Sequence, residues 1–324
     1  MQNQKNWQKN WQKNWQKYLL PIGFYDLLGD EAKVNQETID ILLSSFYASN
    51  YQLIKTPLVE FEDSLIGQRI DDQSFKMVDN FSGKTLVLRS DITPQIARLL
   101  ATKLQNVTMP IRLCYVGDVL KTKNENLYAD RQLTQVGIEK IGEDSCVSNL
   151  EVIGLTLAAL KKIKLDNLMI NFCCPQFLET LLGFLNLDNA DDLRIAINSK
   201  NISAIKKLAG KLADDLICLA LENNNFNKIS SALKALPLDK KTQEQLENWQ
   251  KTIFDIKKNH PEIDFSIDIF GDDEFSYHDQ IGFTIFADGL SYPIARGGRY
   301  LINQAIPAIG STIYINNLRK ILTK

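Results

Sequence analysis

Histidine is almost missing from this chain: His260 and His278 are the only two among 324 residues. Two imidazoles cannot build a multi-histidine metal centre, and neither sits in a pattern that pairs a nucleophile with its base. The five cysteines (Cys114, Cys146, Cys173, Cys174, Cys218) are odd in number and show no C-x-x-C spacing. Neither a disulfide framework nor a zinc site is therefore expected. No apolar run reaches the roughly 18 residues of a spanning helix. The N-terminus lacks the apolar core of a signal peptide. An excess of one charge is missing too, with 37 Lys and Arg against 39 Asp and Glu, whereas a strong nucleic-acid binder carries a basic excess or stripe. These absences leave a cytoplasmic protein with no metal, cofactor, nucleic-acid or membrane partner. Its length allows one large or two ordinary domains.

What is present centres on the stretch from Arg112 to Gly142. It reads as two strands, about Arg112 to Lys121 and Arg131 to Ile141, joined by a polar loop. Side chains on a strand alternate faces, so Leu133, Gln135, Gly137, Glu139 and Ile141 share one. Glu139 can accept from a cationic or N–H group, Gln135 can donate and accept, and Gly137 between them leaves room for a floor. The pattern suits a small polar ligand lying on a sheet. A solvated strand face with a bulge glycine fits the same pattern.

Residues 1–17 form a low-complexity extension that repeats WQKN from Trp7 and Trp11 and ends in WQKY from Trp15. No function follows from it. Leu20 to Gly29 reads as a loop. Glu31 to Asn50 has helical spacing at Val34, Ile39, Leu42, Leu43 and Phe46, with Asp30 as its expected N-cap. Tyr51 to Thr56 reads as a strand stopped at Pro57, with Leu58 to Phe61 extended beyond it. Phe75 to Asp79 and Thr85 to Arg89 form a hairpin about Asn80, Ser82 and Gly83. In LRSDITPQIARLLA, Thr93 and Pro94 are an expected N-cap and first-turn pair, and Asp91 can help to cap the same helix. Val147 to Ile163 reads as a helix, Leu168 to Phe172 as a strand, and Pro175 opens another helix. Residues 188–260 are helical and mixed in charge, with no catalytic cluster, as in a solvated helical insertion. Strands return at Phe265 to Phe270, Gly282 to Ala287 and Tyr292 to Ala295, the last two as a hairpin about Asp288 and Gly289. ARGGRY follows, and its glycine pair permits close backbone approach. A last strand and helix close the chain.

Three of these segments, DxTPQxAR (Asp91 to Arg98), RxLxQxGxE (Arg131 to Glu139) and ARGGRY (Ala295 to Tyr300), together resemble the histidyl branch of the class II aminoacyl-tRNA synthetases. Pro21, Gly23 and Asp26 match the branch's P-x-G-x-x-D opening. Residues 31–61 resemble motif 1, which builds the dimer interface in that superfamily. The Asp and T-P-Q-x-A-R version of the second segment is closer to the branch's non-synthetase paralogue, the regulatory subunit of ATP phosphoribosyltransferase. The resemblance implies an α+β fold, an antiparallel sheet flanked by helices, spanning residues 18–187 and 261–324, with 188–260 inserted. The chain ends directly after motif 3, so no anticodon-binding domain is expected.

The resemblance also implies a function. Family arginines that grip ATP fall on Lys121 and Asn317 here, with Asn316 replacing the motif 3 acid, and a third falls on Asp273. Arginine serves there because it stays charged and bonds phosphate bidentately. With these changes no catalytic residue is assigned. The paralogue is a catalytically silent partner of a short-form ATP phosphoribosyltransferase catalytic subunit, which it activates and through which it conveys feedback by L-histidine. A homodimer within a hetero-oligomer is implied. Histidine would be held by Asp91, Thr93, Gln135 and Glu139, with Tyr277 and His278 as a lid. Two alternatives stay open: a paralogue that activates an amino acid for another acceptor, and a scaffold that binds no ligand.

Overall fold

The computed structural model describes residues 19–65, 74–123, 130–165, 167–271 and 278–323. The WQKN repeat, Asp273 and Tyr277 lie outside them. The first helix, α1 (Gly29–Ala48), is followed by β1 (Gln52–Ile54), β2 (Val59–Phe61), β3 (Lys76–Val78), β4 (Thr85–Leu88) and α2 (Thr93–Thr102). The central hairpin is β5 (Ile111–Leu120) and β6 (Gln132–Ile141). Then come α3 (Cys146–Lys162), β7 (Leu168–Cys173) and α4 (Phe177–Leu185). Five further helices follow: α5 (Ala190–Asn198), α6 (Ile202–Leu208), α7 (Ala213–Leu221), α8 (Phe226–Ala235) and α9 (Lys240–Asn259). The chain closes with β8 (Asp264–Ile267), β9 (His278–Ala287), β10 (Ala295–Ile302), β11 (Ile306–Tyr314) and α10 (Ile315–Leu322).

Eight strands form one sheet in the order β1-β5-β6-β11-β10-β9-β7-β8. The six inner strands, from β5 to β7, pair antiparallel. The expected all-antiparallel sheet needs correcting at both edges, where β1 runs parallel to β5 and β8 parallel to β7. A helix or a long connection intervenes before each of those edge pairings, which gives the chain the length a parallel return needs. β2, β4 and β3 form a separate small antiparallel sheet.

Strand alternation divides the core. Cys114, Val136, Ile138, Ile170, Phe172, Phe283 and Ile285 join one cluster with α1 and α3, whose Leu42, Phe46, Val152, Ile153 and Leu157 are fully buried. On the opposite face Leu113, Tyr115, Leu133, Ile141 and Tyr300 pack against Ile92 and Ile96 of the α2 region. α3 begins at Ser145, whose hydroxyl accepts from the Ser148 amide at 3.1 Å. α9 starts at Asp239, which accepts from Thr242 N at 2.8 Å. Such caps satisfy amides that the helix itself cannot.

The helices of 190–259 share the larger cluster with the sheet through Leu193, Leu216, Ile229, Trp249 and Ile253. The Trp249 indole also donates to the Cys173 carbonyl at 3.0 Å. Two expected caps are not used. Leu28 is the N-cap of α1, and Asp30 lies in its first turn, where its charge suits the helix dipole. Ile92 caps α2, so Thr93 is already helical and its hydroxyl is free for other work. The Tyr292 to Ala295 strand is also displaced: β10 begins at Ala295 and runs through ARGGRY.

Candidate functional site

Four of the six expected site residues converge on one face of the sheet. Glu139, near the C-terminal end of β6, is 1% exposed. Its Oε1 accepts from Thr93 Oγ1 at 2.9 Å, and its Oε2 accepts from Tyr300 Oη at 2.8 Å. Gln135, two pleat repeats away with Gly137 between, donates through Nε2 to Asp91 Oδ1 at 3.1 Å and accepts the Ile92 amide at 3.2 Å. That amide also reaches Asp91 Oδ1 at 2.9 Å. Asp91 and Thr93 thus meet Gln135 and Glu139 because β4 hands the chain to α2 directly above β6. Arg89 fixes this crossing: its Nε donates to Asp118 O at 2.7 Å and its Nη1 to Thr56 O at 3.0 Å.

Tyr277 lies outside the described residues. His278 opens β9, where its backbone is the register partner of Tyr300.

The floor is not where the sequence placed it. A Cβ on Gly137 would collide with the Tyr115 phenol and the Ser311 carbonyl. Tyr115, its partner across β5, lies over Gly137 and reaches Thr312 Oγ1 on β11 at 2.7 Å. The bare backbone lies one row along. Glu139 pairs with Gly310, Gly310 with Gly298, and Gly298 with Gly282. Three glycines thus line up across β11, β10 and β9, and a Cβ on Gly310 would occupy the place of the Glu139 carboxylate. A flat group can lie close to a sheet only where side chains are missing from it.

The electrostatics follow from this packing. Burial pushes the Glu139 carboxyl up to about 8, against the pull of the Tyr300 and Thr93 hydroxyls, and Asp91 pushes it the same way. Among the described residues neither Lys nor Arg pairs with it. Tyr115 and Tyr300 are held far above the usual phenol range, first by burial and then by Glu139. A buried acid with hydroxyl partners and a second carboxyl nearby suits a ligand that brings its own positive charge.

Lys121, Asn316 and Asn317, which the resemblance aligns with the family's ATP-gripping positions, have other partners among the described residues. The Lys121 backbone pairs with Arg131, whose guanidinium lies 5.2 Å from the Phe24 ring centre and 5.1 Å from that of Phe75. Asn316 donates to Asp130 Oδ2 at 2.8 Å and accepts from Thr134 N at 2.8 Å. Asn317 donates to the Pro293 carbonyl at 2.7 Å. Within DxTPQxAR, Gln95 and Arg98 do structural work, since both hydrogen-bond Glu60 at 2.6 Å.

Sequence reasoning missed Tyr300, Tyr115 and the glycine row as site elements. Alternation from Gly298 to Tyr300 was a usable signal. Which strand lies between them and Glu139 was not.

Residues 23–318 match the histidyl-tRNA synthetase family. The ATP phosphoribosyltransferase regulatory subunit of Paramagnetospirillum magneticum is 30% identical over 305 residues, 93% of this chain and 80% of that protein. A Bacillus halodurans structure described as an ATP phosphoribosyltransferase regulatory subunit/histidyl-tRNA synthetase superposes with a TM-score of 0.81. It is 26% identical, and the match covers 95% of this chain and 83% of that one. An ATP phosphoribosyl transferase (HisG:HisZ) complex from Thermotoga maritima includes a chain of the same fold. That chain gives a TM-score of 0.67 at 18% identity, over 87% of this chain and 97% of that one.

Proposed function

The chain belongs to the ATP phosphoribosyltransferase regulatory subunits, on the histidyl-tRNA synthetase fold, and on that premise we propose that it binds a short-form catalytic subunit, activates it, and relays inhibition by L-histidine. The Thermotoga maritima complex joins a chain of this fold to a transferase partner, which supports the same kind of pairing here.

The observation that carries the histidine reading is the buried Glu139 carboxyl, held by Thr93 and Tyr300 over Gly310 and next to the Gln135–Asp91 pair. An imidazole ring suits this slot because it is flat and offers N–H groups to Glu139, while Asp91 and Gln135 suit the ligand's ammonium group. Inhibition then requires that histidine favour a less active arrangement of the complex, so it must bind the two arrangements unequally. Adenylate formation is lost in this reading. Lysine and asparagine stand at the phosphate-gripping positions Lys121 and Asn317, and Asn317 is committed to the Pro293 carbonyl.

Reconstitution tests the proposal. A short-form ATP phosphoribosyltransferase catalytic subunit is assayed alone, with this chain, and with histidine titrated in. The expected result is activation followed by inhibition, with Gln135→Ala and Glu139→Ala blunting only the inhibition. Activation with no response to histidine removes the sensor and leaves a scaffold. ATP–pyrophosphate exchange with any amino acid would overturn the non-catalytic reading.

A further inference from the structure

The glycine row beside Glu139 has a polar neighbour on the same face. One pleat repeat along the strands, about 6.7 Å away, Gly137 pairs with Thr312, Thr312 with Arg296, and Arg296 with Thr284. Tyr115 Oη and Thr312 Oγ1 meet on this face at 2.7 Å. Further along β10, Tyr300 donates to Glu139 there. Alternation therefore places Arg296 on the face of Gly298 and Tyr300, where it is half-buried. A Cβ on Gly297, between them, would meet Phe283 in the core behind the sheet.

The charges of the slot give this position its meaning. An α-amino acid brings an ammonium group and a carboxylate together. Asp91, Gln135 and Glu139 suit the ammonium and the ring N–H groups, but two carboxyls repel a third unless a cation faces it. Two other arginines of this face are placed elsewhere. Arg89 gives Nε to Asp118 O and Nη1 to Thr56 O beside Gly117. Arg131 lies between the rings of Phe24 and Phe75. Arg296 is two strands from Glu139, about 9.6 Å across the sheet, and Gly310 and Gly298 leave the backbone between them bare. Asp91, Glu139 and Arg296 thus mark three corners rather than a line. A molecule whose ammonium, ring and carboxylate leave one carbon in three directions fits such a triangle. The planar fork of a guanidinium meets a carboxylate with two parallel N–H bonds.

We propose that Arg296 binds the carboxylate of the amino acid held by Glu139, and so makes the slot select L-histidine over imidazole amines that lack a carboxylate. The proposal rests on the histidine reading of the slot and adds the residue that sets its specificity.

The test is calorimetric binding of L-histidine and of histamine, its decarboxylated counterpart, to the full chain near neutral pH. Wild type is expected to bind L-histidine at least tenfold more tightly than histamine. Arg296→Gln should weaken L-histidine at least tenfold and leave histamine, a cation, no weaker. Arg296→Lys should restore part of the preference, because it keeps the charge and loses the fork. Equal affinity of wild type for the two ligands overturns the proposal and needs no variant to do so. Equal weakening of both ligands in Arg296→Gln also overturns it, since the residue then shapes the slot without meeting the carboxylate. Either result leaves the histidine reading standing. Wild type that binds neither ligand removes that reading, and this proposal with it.

Discussion

Glu139 and Lys140 are neighbours on β6, and the two faces they occupy solve opposite problems. Behind the sheet, Lys140 is 2% exposed and meets Glu151 of α3 at 2.7 Å. Arg112, directly opposite Lys140 in register, binds the same carboxylate through Nε at 2.6 Å and Nη2 at 2.9 Å. Tyr51 donates to it at 3.0 Å. Arg112 leads these contacts in pulling the Glu151 carboxyl down to about 2. In front, the Glu139 carboxyl has two hydroxyls and no cation among the described residues, and burial lifts it to about 8. One carboxylate is complete in the folded chain. The other is ionised only at a cost that a cationic ligand can offset. That difference separates a structural face from a binding face better than burial does, because both are buried.

The comparison can be broken most forcefully from behind. Glu151→Gln takes the carboxylate from Arg112 and leaves Lys140 with Glu143 alone, and removing one partner of a buried ion pair costs about 3–5 kcal/mol. Urea unfolding should report a loss toward the low end of that range, because the Glu151 side chain keeps 26% of its exposure. The wild-type contribution is complete above the ordinary carboxyl value of 4.5 and is lost as pH falls toward 2.

Glu139→Gln should behave in the opposite sense. Between 4.5 and about 8 the folded chain holds a proton on Glu139 that the unfolded chain has released. Stability from this group therefore falls as pH rises through that window, by at most about 4 kcal/mol at pH 8. The glutamine variant should gain on wild type between pH 5 and pH 8 by urea unfolding. A constant difference would mean that Glu139 is not held neutral.

Smaller changes sharpen the contrast. Gly310→Ala intrudes on the Glu139 carboxyl and should cost about 1–3 kcal/mol as an overpacked site, together with the histidine response. Thr93→Ala removes one hydroxyl donor and should cost about 1 kcal/mol by thermal unfolding. It should weaken histidine binding more than it weakens the fold.

Much of this was legible in the residues. The alternation of Gln135 and Glu139 placed them on one face, and the spacing of α1 and α3 marked their buried sides. Motif order placed Asp91 and Thr93 near them. Only the N-cap reading of Thr93 failed: a threonine before a proline is a usual helix start, and local preference cannot register a carboxyl 46 positions away that claims the hydroxyl. Gly137 was misread for a similar reason. A glycine in a strand announces that something comes close, and here that neighbour is Tyr115 of the next strand.

The sequence by itself determined which side chains share a face and which segments are helices, since both depend on short-range periodicity. The tertiary structure alone decided that Gly310, Gly298 and Gly282 line up beside Glu139, and that Lys140 finds Glu151 while Glu139 finds only hydroxyls. Register between strands distant in the chain is set by how the whole sheet packs. A carboxyl's charge is set by the neighbours that this packing supplies.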